Sequence, residues 1–448
     1  MKRARAADGE DGAAKAAAPT PNPYAKRKVA LLLAYNGARY QGLQKNPGAT
    51  TVAETVEGAM HRAGAISDEN LGSLQKISWS NAGRTDKGVH AVGQIISCKI
   101  ILEPPPMIER VNEQLAGSGI RVLGCERATN SFCAHTSCSS REYEYLIPLY
   151  CLRPPPSNDA CTRASNGASN GASNGASNGA SNVASNCESA STGSSHSVSN
   201  GASTASPPKT VSAQHEAQGE EEAPDAQRVR RREEVPLTDA ERVRLKGLLN
   251  RLEGTHYFHN LADFKQSDFQ HGDATASSAA SHAHLPASAQ RYILSIGVGD
   301  EEVLLDGVRW ASIHYHGQGF LMHQIRKMTS MVAAIMCGFL PESALDRVLA
   351  APRVPRLPMA PGASLTLRKC WYVKYERNRP EDRGSVHFEE AAEVQRRFLV
   401  EEIYPHVAQK EAMGEFHQFI DELKAYDIDR PLMGGTRDTM DNNNKTRL

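Results

Sequence analysis

The alternation of apolar and polar residues marks out a series of short strands and helices along the chain. KVALLLAYNG (28–37) is an apolar run that closes in Asn-Gly, which predicts a strand ending in a turn. TVAETVEGAMHRAG (51–64) places Val52, Val56, Ala59, Met60 and Ala63 on one helical face. QKISWS (75–80) and QIISCKI (94–100) predict two strands around a glycine-containing loop. SREYEYLIP (140–148) predicts another, with Arg141, Tyr143 and Tyr145 on one face because side chains alternate along a strand. LTDAERVRLKGLLNRLEG (237–254) predicts a helix, with Thr238 as N-cap and Glu241 completing a capping box. GVRWASIHYHGQGF (307–320) reads as strand and turn, and WYVKY (371–375) as a last strand. Met322, Ile325, Met328, Val332, Ile335 and Met336 form a helical stripe. Two further helices follow, around EEAAEVQRRFLVEEI (389–403) and along Met413, Phe416, Ile420 and Leu423.

Strands and helices are mixed, so the fold class is α+β. The pattern fails in four places. Residues 151–236 hold a repeated ASNG unit, a Ser/Ala/Asn tract, an acidic cluster and RVRRR, with almost nothing to bury. This segment is expected to be a disordered insertion. A smaller insertion is expected at 266–287, and disordered tails at 1–27 and 427–448. The resulting organisation is a first half at 28–150, a second half at 237–377 and C-terminal helices at 378–426.

Composition changes this picture little. Of 448 residues, 51 are Lys or Arg and 51 Asp or Glu. The folded parts are mildly basic: 14 Lys/Arg against 11 Asp/Glu over 24–150, and 12 against 7 over 288–380. That permits nucleic-acid binding without demanding it. Nine scattered cysteines with no C-x-x-C pair point to free thiols in a reducing compartment. No secretory signal and no run of transmembrane length is expected, and Asp8, Glu10 and Asp11 argue against an organelle presequence.

Candidate chemistry centres on NAGRTDKGVHA (81–91), where Asp86 stands between Arg84 and Lys87 with Gly83 and Gly88 on either side. Gly83 to Gly88 is not a phosphate loop, because Val89 and His90 follow where Lys and Ser/Thr are needed. Asp86 is then either a structural ion-pair partner or a nucleophile or base kept ionised by its cationic neighbours. Tyr143 is either a half-buried strand residue or a platform for an unstacked base. His256, His259, His314, His316 and His323 raise a metal site, but no Cys pairing or H-E-x-x-H set accompanies them. Arg326 and Lys327 interrupt an apolar helix, as a solvated face or as cations aimed at an acid.

Taken in order, YNGARYQGLQ (35–44), GRTDKGVHA (83–91), SFCAHTSCSSREYEYLIP (131–148), GTHYFHN (254–260), RYI (291–293), GFLMHQIRKM (319–328) and APGASLTL (360–367) resemble the TruA family of tRNA pseudouridine synthases, in particular its eukaryotic multisite branch. The resemblance spans about Lys28 to Tyr375. It implies two α/β halves forming a continuous mixed sheet around a central basic cleft. It implies an isomerase that breaks the uridine glycosidic bond, rotates the base and rejoins ribose C1′ to C5, with no cofactor. Asp86 matches the catalytic aspartate, and Arg84 the arginine assigned to base flipping. Tyr143 matches the stacking tyrosine, and Arg326 the basic residue that pairs with the aspartate. The resemblance also implies tRNA as partner, with other small RNAs allowed, no membrane and a monomer. Several uridines are the expected targets, including anticodon-stem positions. The competing readings are the branch that modifies the base of the anticodon loop, a catalytically silent RNA-binding protein and a metalloenzyme. KRAR (2–5), KRK (26–28) and RVRRR (228–232) suggest a nuclear location, with the mitochondrion as the second choice.

Overall fold

Eight consecutive residues, Lys28 to Tyr35, are buried in the first strand. A strand covered on both faces needs such a continuous apolar run, whereas one with a wet face alternates. The chain is described by a computed structural model at residues 25–155, 235–263, 285 and 287–431. The tail at 1–24, most of both expected insertions and the end of the chain lie outside the described residues.

Ten strands are described: β1 (Lys26–Tyr35), β2 (Ser80–Asn81), β3 (His90–Ile101), β4 (Ile120–Arg127), β5 (Ser140–Pro148), β6 (Gly254–Tyr257), β7 (Gln290–Val298), β8 (Val303–Leu305), β9 (Val308–Gly317) and β10 (Leu365–Trp371). They form one sheet in the order β4-β1-β3-β10-β5-β9-β7-β6, with β2 on β3 and β8 on β9. β10 runs parallel to β3 and antiparallel to β5, so the sheet is mixed. The helices are α1 (Val52–Arg62), α2 (Met107–Gln114), α3 (Asp239–Asn250), α4 (Gln324–Met336), α5 (Ser343–Ala350), α6 (Val373–Arg377), α7 (Ala392–Phe398), α8 (Tyr404–Ala412) and α9 (Glu415–Lys424). Thr238 and Glu241 make the expected capping box on α3. Thr51 caps α1 by accepting from the Glu54 N–H.

Four local expectations change. QKISWS contributes only its last residue, Ser80, to the two-residue β2, because Ser78 takes a left-handed backbone (φ 51°) in a turn closed on Gln75. WYVKY is not a strand: β10 is LTLRKCW, and the chain turns at the buried Tyr372, whose hydroxyl donates to the Ala134 carbonyl, into α6. Met322 and Met413 lie outside their helices and are 60% and 68% exposed. The boundaries at 151 and 427 also move. Cys151 and Leu152 are buried in a 3-10 turn, and Ile428 is buried beyond α9.

The two faces of the sheet have different covers. Tyr143 on β5 lies opposite Tyr315 on β9, whose hydroxyl meets Thr329 on α4 at 2.9 Å. So α4 packs on the Tyr143 face. Glu144, the next residue, points the other way. It meets the Tyr404 hydroxyl of α8 at 3.5 Å, and the nearby Trp310 packs edge-on against Phe416 of α9. The C-terminal helices therefore back the sheet behind the site.

Candidate active site

The loop 82–89 links β2 to β3 and is held almost entirely through its backbone. The Gly83 carbonyl accepts from Gln94 Nε2 (2.9 Å) and Asn81 Nδ2 (2.8 Å). The Ala82 carbonyl accepts from Arg141 Nε at 3.0 Å and from a second guanidinium nitrogen at 2.5 Å. Arg141 also donates to the Gln318 carbonyl (2.8 Å), which ties the loop to the end of β9. The buried Thr85 hydroxyl meets Tyr35 Oη at 2.8 Å, and the Thr85 carbonyl accepts from the Leu43 N–H. Burial pushes the Tyr35 phenol up to about 12.

Two glycines in YNGARYQGLQ allow this close fit. A Cβ on Gly37 would sit 2.1 Å from the Val89 carbonyl oxygen. A Cβ on Gly42 would sit 2.8 Å from the Thr85 oxygen, and Gly42 also has φ +98°. The Gly37 N–H donates to Nδ1 of the buried His90, which fixes the far end of the loop. The sequence motif is therefore a seat for the loop rather than a contributor of chemistry.

What the loop presents is Asp86. Its side chain is 37% exposed, and its Oδ2 lies 3.6 Å from His323 Nε2. His323 is the N-cap residue of α4, so the carboxylate sits near the positive end of that helix. Arg84 and Lys87 are exposed, and neither makes an ion pair with Asp86 among the described residues. Arg326, one turn into α4, donates Nε to the Ala360 carbonyl (2.6 Å) and is largely buried. Burial lowers its guanidinium from the usual value, while Tyr145, Asp86 and Asp263 pull it back up. Arg326 thus acts on Asp86 through space, and His323 occupies the ion-pair position.

Behind His323, its Nδ1 lies 2.8 Å from Asp263. Asp263 also meets Lys327 Nζ (2.6 Å) and Arg356 (3.2 Å). Burial alone would raise Asp263, but the His323 and Lys327 hydrogen bonds and the charges of Lys327 and Arg356 hold it well below the usual carboxylate range.

Tyr143 projects toward the loop from below: its hydroxyl would lie 3.5 Å from a Cβ on Gly83. The ring is 7% exposed and meets Phe320 edge-on, with centroids 5.4 Å apart at 85°. Burial raises its phenol well above the ordinary value. On the other side of the loop a cavity of about 270 Å³ is lined by Arg84, Asn81, Trp79, Lys45 and Gln44. Cations, amides and an indole together suit a nucleotide.

The structure therefore brings Asp86, Tyr143 and Arg326 into one neighbourhood and puts Arg84 at its edge. The other histidines are spread through the fold. His256 and His259 donate to the Glu253 and Ala351 carbonyls, His314 pairs with Ser312, and His316 with Ser140. Among the described residues no group of three His, Cys, Asp or Glu side chains is placed to hold a metal. The seven described cysteines are free thiols. Also among the described residues, no helix is long and apolar enough to cross a membrane. Asp263 had no signal in the sequence, and Arg141 had only its place on the Tyr143 face of the strand. His323 had only its place among the five histidines weighed as metal ligands.

A family model described as tRNA pseudouridine synthase matches residues 248–373. The chain is 30% identical over 412 residues to tRNA pseudouridine synthase 1 of Yarrowia lipolytica, covering 88% of this chain and 74% of that protein. It is 31% identical over 368 residues to tRNA pseudouridine synthase 1 of Saccharomyces cerevisiae, covering 79% and 62%. It is 29% identical over 358 residues to the pseudouridylate synthase 1 homolog of Mus musculus, covering 79% and 63%. The chain belongs to the tRNA pseudouridine synthase family.

Proposed function

We propose that this protein isomerises uridine to pseudouridine in tRNA and that Asp86 carries the chemistry. The observation that bears most weight is the state of Asp86: a half-exposed carboxylate on a rigid loop, beside the aromatic pair Tyr143–Phe320 and the cationic start of α4. A carboxylate so placed either attacks ribose C1′ or removes a proton. In both routes the C1′–N1 bond breaks and a C1′–C5 bond forms. The proton on C5 is lost and N1 gains one.

The target atoms lie within a stacked base, so the base must leave the stack. Tyr143 is the platform for it, and a uracil that stacks there displaces Phe320 from the ring. Arg84, at the mouth of the neighbouring cavity, fills the space the base leaves or holds an adjacent nucleotide. Arg326 keeps the carboxylate side of the pocket positive. Anticodon-stem uridines are the proposed targets, with the base of the anticodon loop as the alternative. A monomer acting in the nucleus is the proposed setting. KRK at 26–28 adds little to the nuclear assignment, because Lys28 is buried and donates to Ser78 and Ser97. The test is to incubate wild type and Asp86→Ala with unmodified tRNA transcripts and map pseudouridine by chemical labelling and primer-extension stops. Anticodon-stem stops with wild type alone support the proposal. Bound RNA with no stops would overturn it in favour of an RNA-binding protein.

A further inference from the structure

His323 has features that capping a helix does not explain. It adopts a left-handed backbone (φ 61°, ψ 6°), which residues with side chains rarely do, and its side chain makes no capping hydrogen bond to α4. That backbone carries the imidazole between two carboxylates from different parts of the chain, with Nδ1 2.8 Å from Asp263 and Nε2 3.6 Å from Asp86. Asp263 is itself immobilised. Its carboxylate meets Lys327 and Arg356, and its N–H donates to the Met322 carbonyl, next to His323.

We propose that His323 is a positioning residue for Asp86: anchored through Nδ1 on Asp263, it holds the Asp86 carboxylate in its reactive place by donating from Nε2. This deepens the assignment of Asp86 as the reacting group and rests on it.

The valence of the ring sets the consequence. Nδ1 carries a proton to serve Asp263. Nε2 then donates only when the ring is doubly protonated; otherwise its lone pair faces the Asp86 oxygens. The 3.6 Å separation is an ion-pair distance that tightens to a hydrogen bond when substrate excludes water. The charged groups around the imidazole are Asp86 from the loop, Asp263 from the segment after β6, Arg326 and Lys327 from α4, and Arg356 from the segment before β10. Two carboxylates face the ring directly, while Lys327 takes the other oxygen of Asp263 and Arg356 shares Oδ2 with the imidazole. A ring that does not donate from Nε2 leaves Asp86 unheld, so the pH profile of the step reports on the contact.

The experiment compares wild type, His323→Asn and Asp263→Asn in single-turnover pseudouridine formation on a tRNA transcript between pH 5.5 and 9. Asn tolerates the left-handed backbone, so it tests the ring rather than the turn. The expected result for His323→Asn is a 30- to 100-fold slower step at pH 7, roughly the scale of a misplaced reacting group. Its tRNA affinity should stay within about threefold of wild type, and the pH profile of the step should change shape. Asp263→Asn should change the profile in the same sense. Superposable normalised profiles, or a loss confined to tRNA affinity, would overturn the proposal. A second measurement needs no His323 variant. The ring signals of His323, followed by NMR without RNA, should move between wild type and Asp86→Asn, and unmoved signals would overturn the contact. Absence of pseudouridine with wild type would instead count against the proposed function, and the NMR comparison would still decide the contact.

Discussion

The two walls of the site are built by different physics. The aspartate loop is held by shape: glycines that admit a backbone carbonyl at close range, carbonyls capped by Gln94, Asn81 and Arg141, and a buried Tyr35–Thr85 hydroxyl pair. The start of α4 is held by charge: His323, Lys327 and Arg356 converge on Asp263. A wall fixed by packing presents Asp86 without using the carboxylate's own hydrogen bonds to hold the loop. A wall fixed by charge responds to pH and salt, so the environment it offers Asp86 can be changed by titration.

The largest effect expected is from Asp86→Ala. It should cut pseudouridine formation by at least about 10⁴-fold, the scale on which losing a catalytic nucleophile acts, while tRNA affinity and Tm hold. Retained turnover would leave the loop a rigid ornament. Next comes Gly37→Ala, which attacks the packed wall without touching a charge. Its methyl would overlap the Val89 carbonyl, so a loss of about 3 kcal/mol is expected. A displaced loop should add about 100-fold in rate. Thermal melting together with single-turnover kinetics checks both, and an unchanged Tm would show that the fit is looser than described.

The charged wall is tested by Asp263→Asn. Losing the charged hydrogen bonds should cost about 2 kcal/mol at pH 7. The sign of the pH effect follows from the depressed value of Asp263 in the folded protein. Its contribution is complete above the ordinary aspartate value of about 3.9 and is lost as pH falls below it toward the folded value. The Tm gap between wild type and variant should therefore be constant near neutrality and close below about pH 4. A gap that ignores pH would mean that Asp263 acts by shape like the opposite wall. The smallest effect is expected from Tyr143→Phe, which keeps the ring and should alter tRNA affinity and rate by less than about threefold. Tyr143→Ala should weaken binding tenfold or more, since base stacking is worth about 1–3 kcal/mol. Equal losses in the two variants would count against stacking.

Legibility in the sequence followed the range of the interactions. The strands at 28–37, 94–100 and 140–148 and the capped helix at 238 were readable because alternation, apolar runs and capping are local rules. QKISWS and WYVKY misled because a left-handed Ser78 and the long-range anchoring of Tyr372 to Ala134 override local pattern. Asp86, Tyr143 and Arg326 could be named in advance through motif resemblance. His323 was visible only as one histidine among several, and Asp263 not at all. Their roles depend on which carboxylates the fold brings to one imidazole.

By itself the sequence determined most of the element types, the glycine-flanked loop with Asp86 at its centre as the candidate site, and the family. Those follow from short periodicities and contiguous motifs. Only the tertiary structure decided that β10 enters between β3 and β5, that β5 joins β9 from beyond the first insertion, and that the C-terminal helices back the sheet. It alone placed His323, not Arg326, in contact with Asp86. Strand order and ion-pair partners are set by contacts between residues tens to hundreds of positions apart, and no local pattern encodes which distant surface an apolar face or a charge will meet.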